Sequence, residues 1–158
     1  MRHLFSKVAL ALAVVLLGGC STREYDLCVY GGTSSGVVAA YSAAKSGLKV
    51  VLVEPTEHIG GMTSGGLGFT DIGNKQVIKG VAKQFYRKVG EHYGCLEQYI
   101  FEPSVADSIM RAYLEVEGLT VMSLHRLESV EKEGSRIRRI KLERSDKPEK
   151  KSYLSARY

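Results

Sequence analysis

Tyr25-Asp26-Leu27-Cys28-Val29-Tyr30 runs into Gly31-Gly32-Thr33-Ser34-Ser35-Gly36, and then into Val37-Val38-Ala39-Ala40-Tyr41-Ser42-Ala43-Ala44-Lys45-Ser46-Gly47. The first run is short, apolar and ended by paired glycines, the pattern of a strand buried on both faces. The Ala-rich run from Val37 to Ser46 has the composition of a helix, and Gly47 closes it. Leu48-Lys49-Val50-Val51-Leu52-Val53 is a second strand, and Glu54 stands at its end. Strand, glycine turn, helix, strand and acid in that order make a right-handed βαβ unit. The fold class is therefore α/β, with a Rossmann-like parallel sheet layered against helices.

Each position in the unit has a physical task. Gly31 can take the tight turn that leaves the strand, and Gly36 lacks the Cβ that would keep the helix off the sheet. The helix N-terminus, reached through Thr33, Ser34 and Ser35, directs free N–H groups at a pyrophosphate. Glu54 lies 23 residues beyond Gly31, where a carboxylate accepts hydrogen bonds from ribose hydroxyls and disfavours a 2′-phosphate. Thr33 occupies the position of the middle glycine in G-x-G-x-x-G; it offers a hydroxyl, but its Cβ narrows the approach to the phosphates. No Gly-Lys-Ser/Thr follows the turn, which excludes a P-loop.

Glu54 is followed by Pro55-Thr56-Glu57-His58-Ile59-Gly60-Gly61-Met62-Thr63-Ser64-Gly65-Gly66-Leu67-Gly68. Five glycines between 60 and 68 allow a backbone to lie against a ligand. This loop resembles the second glycine motif of the glutathione-reductase-type flavoproteins. The run Tyr25–Gly68 resembles the start of FAD-dependent oxidoreductases that read YGGTxxG…VEP…HxGGMxxxGLG, a subgroup that also carries Thr at the middle glycine. The resemblance implies FAD as cofactor, held by Gly31, Gly32, Thr33, Ser34, Ser35, Gly36, Glu54, Gly60, Gly61, Met62 and Thr63. Thr63 has a hydroxyl for phosphate or ribityl oxygen, and Met62 can cover an apolar ring face. His58 is read as a loop histidine rather than an acid–base group.

The remaining chain fits the same plan. Val77, Val81, Phe85, Val89 and Tyr93 form a stripe at helical spacing within 75–93, read as core. Glu102-Pro103-Ser104 opens a second helix with Val105, Ile109, Ala112, Tyr113 and Val116 on its apolar face, and Gly118 ends it. Leu119–Leu124 reads as the next parallel strand. Leu127–Glu133, Arg136–Arg144 and Lys151–Tyr158 predict a three-stranded antiparallel meander with a hairpin at Gly134-Ser135. Ile137, Ile140 and Leu142 break the alternation, which predicts a bulge. In the resembling flavoproteins the residue that opens this meander, here Leu127, touches adenine through its backbone.

Residues 1–20, MRHLFSKVALALAVVLLGGC, form a separate unit. Arg2 and Lys7 precede the unbroken apolar run Val8–Leu17, too short to span a bilayer and fitted to a signal peptide. Leu17-Gly18-Gly19-Cys20 resembles a bacterial lipobox, so Cys20 is the expected lipidation site. The implied organisation is a leader at 1–19, a tether at 20–24 and a partial FAD-binding domain at 25–158. A lipid-anchored protein of the bacterial envelope follows, in the periplasm or at the outer membrane. Losing Arg2 and Lys7 with the leader lowers the formal charge from +5 to +3. The late Arg and Lys residues alternate with acids and no aromatic platform joins them, which speaks against nucleic acid as a partner. Three cysteines in 158 residues exclude a disulfide scaffold; Cys28 reads as a small buried hydrophobe and Cys95 as a loop residue. No metal-ligand set is expected.

The resemblance covers residues 25–158 and only the front of longer proteins. Ser152–Tyr158 is similar to the lead-in to their Ile-Asp-Ala-Thr segment, which returns to the parallel sheet. The fragment is therefore expected to be incomplete at its C-terminal end, to bind FAD weakly or not at all, and to be inactive by itself. No catalytic acid or base can be named, and the small-molecule substrate would belong to the full-length relative. The competing reading is a stand-alone nucleotide-binding lipoprotein without redox activity. NAD binding without flavin is disfavoured by the Gly60–Gly68 loop.

Overall fold

A computed structural model of the chain describes residues 23–158; the leader and Cys20 lie outside the described residues. Among the described residues, seven strands and three α-helices follow one another. They are β1 (Arg23–Tyr25), β2 (Leu27–Tyr30), α1 (Ser34–Lys45), β3 (Val50–Val53), α2 (Gly80–His92), α3 (Pro103–Leu114), β4 (Leu119–Met122), β5 (His125–Glu133), β6 (Arg136–Arg144) and β7 (Lys151–Ala156). β2, β3 and β4 form a parallel sheet in that order, with Leu27 beside Val50 and Val50 beside Leu119. The second sheet has the order β1-β7-β6-β5, antiparallel through the meander and parallel between β1 and β7.

β3 lies in the middle of the parallel sheet, and all four of its residues are buried. Covering both faces requires an unbroken apolar strand rather than an alternating one. Val50 and Leu52 face the helices, packing with Val37, Ala40, Val89, Ala106 and Met110. Val51 and Val53 face the meander, packing with Tyr25, Met122, Leu142 and Leu154. The molecule is thus helices, parallel sheet and meander in three layers, the mixed α/β arrangement expected from the sequence.

Several local readings need correction. The run Tyr25–Tyr30 is two strands, not one. Asp26 bends the chain, its Oδ2 accepting the Lys49 N–H at 2.8 Å while its own N–H donates to Lys49 O. β1 thereby leaves the parallel sheet for the meander, and Arg23 and Glu24, placed in the tether on sequence, are its first two residues. α1 begins at Ser34, three residues before the Ala-rich run. Leu48 and Lys49 precede β3, and the strand after α3 stops at Met122. Val77 lies in a short 3-10 turn and is 70% exposed; α2 buries Phe85, Val89 and Gly90 instead. On α3 the buried face is Val105, Ala106, Met110 and Tyr113, while Ala112 is exposed.

The irregular meander has two register shifts rather than one. Glu128 is the extra residue on β5 and Arg138 the extra residue on β6. The shift at Arg138 restores Ile137 to the phase of Ile140, which explains the broken alternation. Beyond β7, Tyr158 N–H donates to Asp26 O and Tyr158 O accepts the Cys28 N–H, both at 3.0 Å, so the chain reaches the outer edge of β2. Cys28 and Cys95 are both free. Cys28 packs against the meander core, and burial pushes its thiol up. Among the described residues no helix is long and apolar enough to cross a membrane.

Candidate cofactor site

The site is assembled where β2 and β3 end. Gly31 leaves β2 with φ +107, a conformation that L side chains rarely adopt, and its N–H donates to Val53 O at 2.8 Å. Thr33 is the N-cap of α1. Its Oγ1 accepts the Gly36 N–H at 3.2 Å and its carbonyl accepts the Val37 N–H at 2.8 Å. The hydroxyl expected to replace a missing glycine thus serves the helix. Its Cβ meets the second loop instead: a Cβ on Gly61 would lie 3.5 Å from Thr33 Cβ. The capping leaves the Ser34 and Ser35 amides without intrahelical acceptors, as at any helix start.

Gly36 has the tightest surroundings of this loop. A Cβ placed there would lie 2.0 Å from Gly31 O. The sequence assigned Gly36 to helix–sheet contact; what it permits first is the turn folding back on its own helix.

The second glycine segment is clasped to the first. Gly60 N–H donates to Gly32 O at 2.7 Å, and Gly60 forms an isolated parallel bridge with Thr33. Thr63 Oγ1 donates to Ser34 Oγ at 3.2 Å. Met62 projects from this clasp, 74% exposed. His58 holds the loop internally: its Nε2 donates to Gly61 O at 2.8 Å and lies 3.3 Å from Ser64 Oγ, which donates to Ile59 O. Because the carbonyl partner requires a proton on Nε2, the Ser64–His58 pair is a loop brace and not a nucleophile with its base.

Glu54 ties these parts together. Its Oε2 accepts the Gly32 N–H at 2.7 Å, and its Oε1 accepts both the Thr56 N–H at 2.9 Å and the Thr56 hydroxyl at 2.7 Å. Three of about four lone-pair sites are taken, leaving Oε2 room for one more donor. Burial by itself raises the Glu54 carboxyl. Donation from the Thr56 hydroxyl, Gly32 N–H and Thr56 N–H, with His58 nearby, outweighs it and holds the carboxyl below the ordinary range. A depressed folded value means that the stabilisation is fully present above the unfolded value of about 4.3, and is lost as pH falls through the folded value. Thermal melts across an acid series are expected to show the gap between the wild type and Glu54→Gln closing below about pH 4. A gap constant over the series would refute this assignment.

Leu127, expected at adenine, lies at the edge strand β5, and its N–H donates to Tyr30 Oη at 3.1 Å. Two contributors escaped the sequence reading. Thr56 carries a detectable signal, a hydroxyl two residues after an acid, as in local side-chain turns. Tyr30 carries only a faint one, a phenol closing an otherwise apolar strand. Among the described residues no cluster of His, Cys, Asp and Glu could hold a metal ion.

Residues 26–158 match the profile of a family described as FAD dependent oxidoreductase. The chain belongs to that family. It is 38% identical over 87 residues to a thiamine thiazole synthase of Pyrococcus horikoshii, covering 54% of this chain and 32% of that protein. It is 42% identical over 57 residues to a 3-oxosteroid 1-dehydrogenase of Mycolicibacterium smegmatis, covering 36% of this chain and 10% of that protein. The chain therefore spans a third or less of these curated relatives. In fold it is similar to the glycerol-3-phosphate dehydrogenase of Bacillus halodurans complexed with FAD, with a TM-score of 0.59 and 16% identity over 89% of this chain and 34% of that one.

The residues present fit the adenosine diphosphate half of FAD. Two clasped glycine segments have no room for a Cβ at Gly36 or Gly60, where it would lie 2.0 Å from Gly31 O and 2.4 Å from Ser64 Oγ. A carboxylate with one acceptor site left stands beside them.

Proposed function

We propose that this chain is the FAD-binding portion of a flavin-dependent oxidoreductase. The observation that carries the proposal is the clasp of Gly60 N on Gly32 O, with Glu54 bonded to the same glycine. In this reading the Ser34 and Ser35 amides receive the pyrophosphate, and Thr63 and Ser34 offer hydroxyls beside it. Glu54 orients a ribose hydroxyl through Oε2, and Met62 shields an apolar ring face. When bound, FAD supplies a hydride acceptor for a substrate C–H or a reduced nicotinamide. The residues of this chain bind and orient; none is assigned to proton transfer. Family membership favours this reading over a nucleotide-binding lipoprotein without redox chemistry.

The substrate is a small molecule met by the longer relatives' remaining parts. The leader and Cys20 support a lipid anchor in the bacterial envelope. Mass spectrometry of the chain from a membrane fraction tests that anchor, an unmodified Cys20 being the adverse result.

Equilibrium dialysis tests the cofactor assignment. The full chain is expected to bind FAD and ADP with equal affinities within about threefold, because Glu54, Ser34 and Ser35 serve the ADP moiety and only the exposed Met62 and the Thr63 hydroxyl are offered beyond it. The dissociation constants should lie on the order of 10–100 µM. 2′,5′-ADP should bind at least about tenfold more weakly, since Glu54 repels a 2′-phosphate. No saturable binding of FAD or ADP would overturn the reading.

A further inference from the structure

Tyr30 closes β2 immediately before the Gly31 turn, and the residue is 48% exposed. Its phenol oxygen spans to the other sheet and accepts the Leu127 N–H, from a residue 97 positions away. The ladder explains why that N–H is free. Ser145 N–H donates to Leu124 O. By the antiparallel alternation Arg126 and Glu143 are then the mutually bonded pair, and the Leu127 N–H and C=O both turn off the sheet edge. The register shift at Glu128 follows directly.

The same edge crosses the ends of the parallel strands. His125 N–H, two residues earlier, donates to Glu54 O at 3.0 Å. The Leu127 backbone couple therefore lies on the same edge of β5, two residues beyond the residue bonded to the Glu54 carbonyl. One donor and one acceptor on a single residue complement the ring nitrogen and amino group on the pairing edge of adenine.

We propose that Tyr30 is a displaceable placeholder: its hydroxyl occupies the Leu127 amide until an adenine nucleotide takes that amide. The proposal rests on the FAD reading above. The phenol has a place to go. A largely apolar cavity of about 420 Å³ opens beside it, lined among others by Tyr30, Leu127, Val130, Ile140, Leu154 and Tyr158. Placeholding fits the residue type, because Phe would fill the same strand position without accepting the amide. It also keeps an edge-strand N–H paired when no nucleotide is bound.

The test compares the full chain with its Tyr30→Phe variant, using ADP as the probe. Calorimetry is expected to show the variant binding ADP about fivefold more tightly, the equivalent of one ordinary hydrogen bond no longer displaced. Hydrogen exchange at the Leu127 amide should be faster in the unliganded variant than in the unliganded wild type, and equal once both hold ADP. Equal or weaker ADP binding by the variant, with its Leu127 amide exchanging faster, overturns the placeholder and leaves the FAD reading standing. An unchanged Leu127 exchange rate overturns the hydrogen bond on which the placeholder depends. No ADP binding by either protein overturns the FAD reading, and the placeholder with it.

Discussion

Gly36→Ala is expected to abolish ADP binding and to lower the thermal midpoint by on the order of 10 °C. The added Cβ would sit 2.0 Å from the Gly31 carbonyl oxygen, with the carbonyl carbon at 3.2 Å. The obstacle is backbone, so no side-chain rotation relieves it. Gly31 cannot retreat freely either, because its φ of +107 and its 2.8 Å bond to Val53 O fix the turn to the middle strand. The clash therefore opens the turn or shifts α1 off β2, at a cost of about 3 kcal/mol or more. Either movement separates the Ser34 and Ser35 amides from the Gly60 clasp. Gly73→Ala is the matched control, since a Cβ there meets nothing within 4 Å. If Gly36→Ala melted within about 2 °C of the wild type, the turn would be more pliant than this geometry allows.

Glu54→Gln is expected to weaken ADP binding by roughly 10–100-fold and to reduce discrimination against a 2′-phosphate. The carboxylate accepts on both sides at once, from Gly32 N–H on Oε2 and from Thr56 on Oε1. An amide can accept on one side only. Its NH₂ must face either the Gly32 N–H or the two Thr56 donors, which sets donor against donor. The variant also loses the charge that excludes a second phosphate. The informative quantity is the ratio of dissociation constants for 2′,5′-ADP and ADP, which should fall toward unity. Preserved selectivity in a variant that still binds would move the discrimination to another residue.

The βαβ unit was legible because each step left a separate trace. Val50–Val53 is apolar without interruption since both faces are covered, and Gly31 and Gly36 stand where backbone has to meet backbone. Glu54 was placed by its distance from the glycines. The errors occur where one residue has two uses. Thr33 reads as a flawed phosphate glycine, yet its hydroxyl caps α1. Asp26 reads as a polar interruption in one strand, yet its carboxylate caps Lys49 N–H and divides the strand between two sheets. Val77 follows the helical period but falls before the helix, because Gly80, with φ +59, starts α2 three residues later. Tyr30 was out of reach for another reason. Its partner is a backbone amide on a strand that no local pattern brings beside it, so only the docking of the meander reveals the contact.

The division at Asp26 has a consequence for biosynthesis. Arg23 pairs with Leu154, 131 positions later in the chain. At ordinary translation rates β1 waits roughly ten seconds for its partner to leave the ribosome. β2 meets β3 after about twenty residues, so the glycine turn and α1 can settle while β1 still hangs open. Tyr25 and the meander face of β3 stay uncovered through that interval. In cell-free translation of residues 20–158 followed by a flexible linker, chains stalled before β7 should therefore recruit holdase chaperones, and those stalled in the linker should release them.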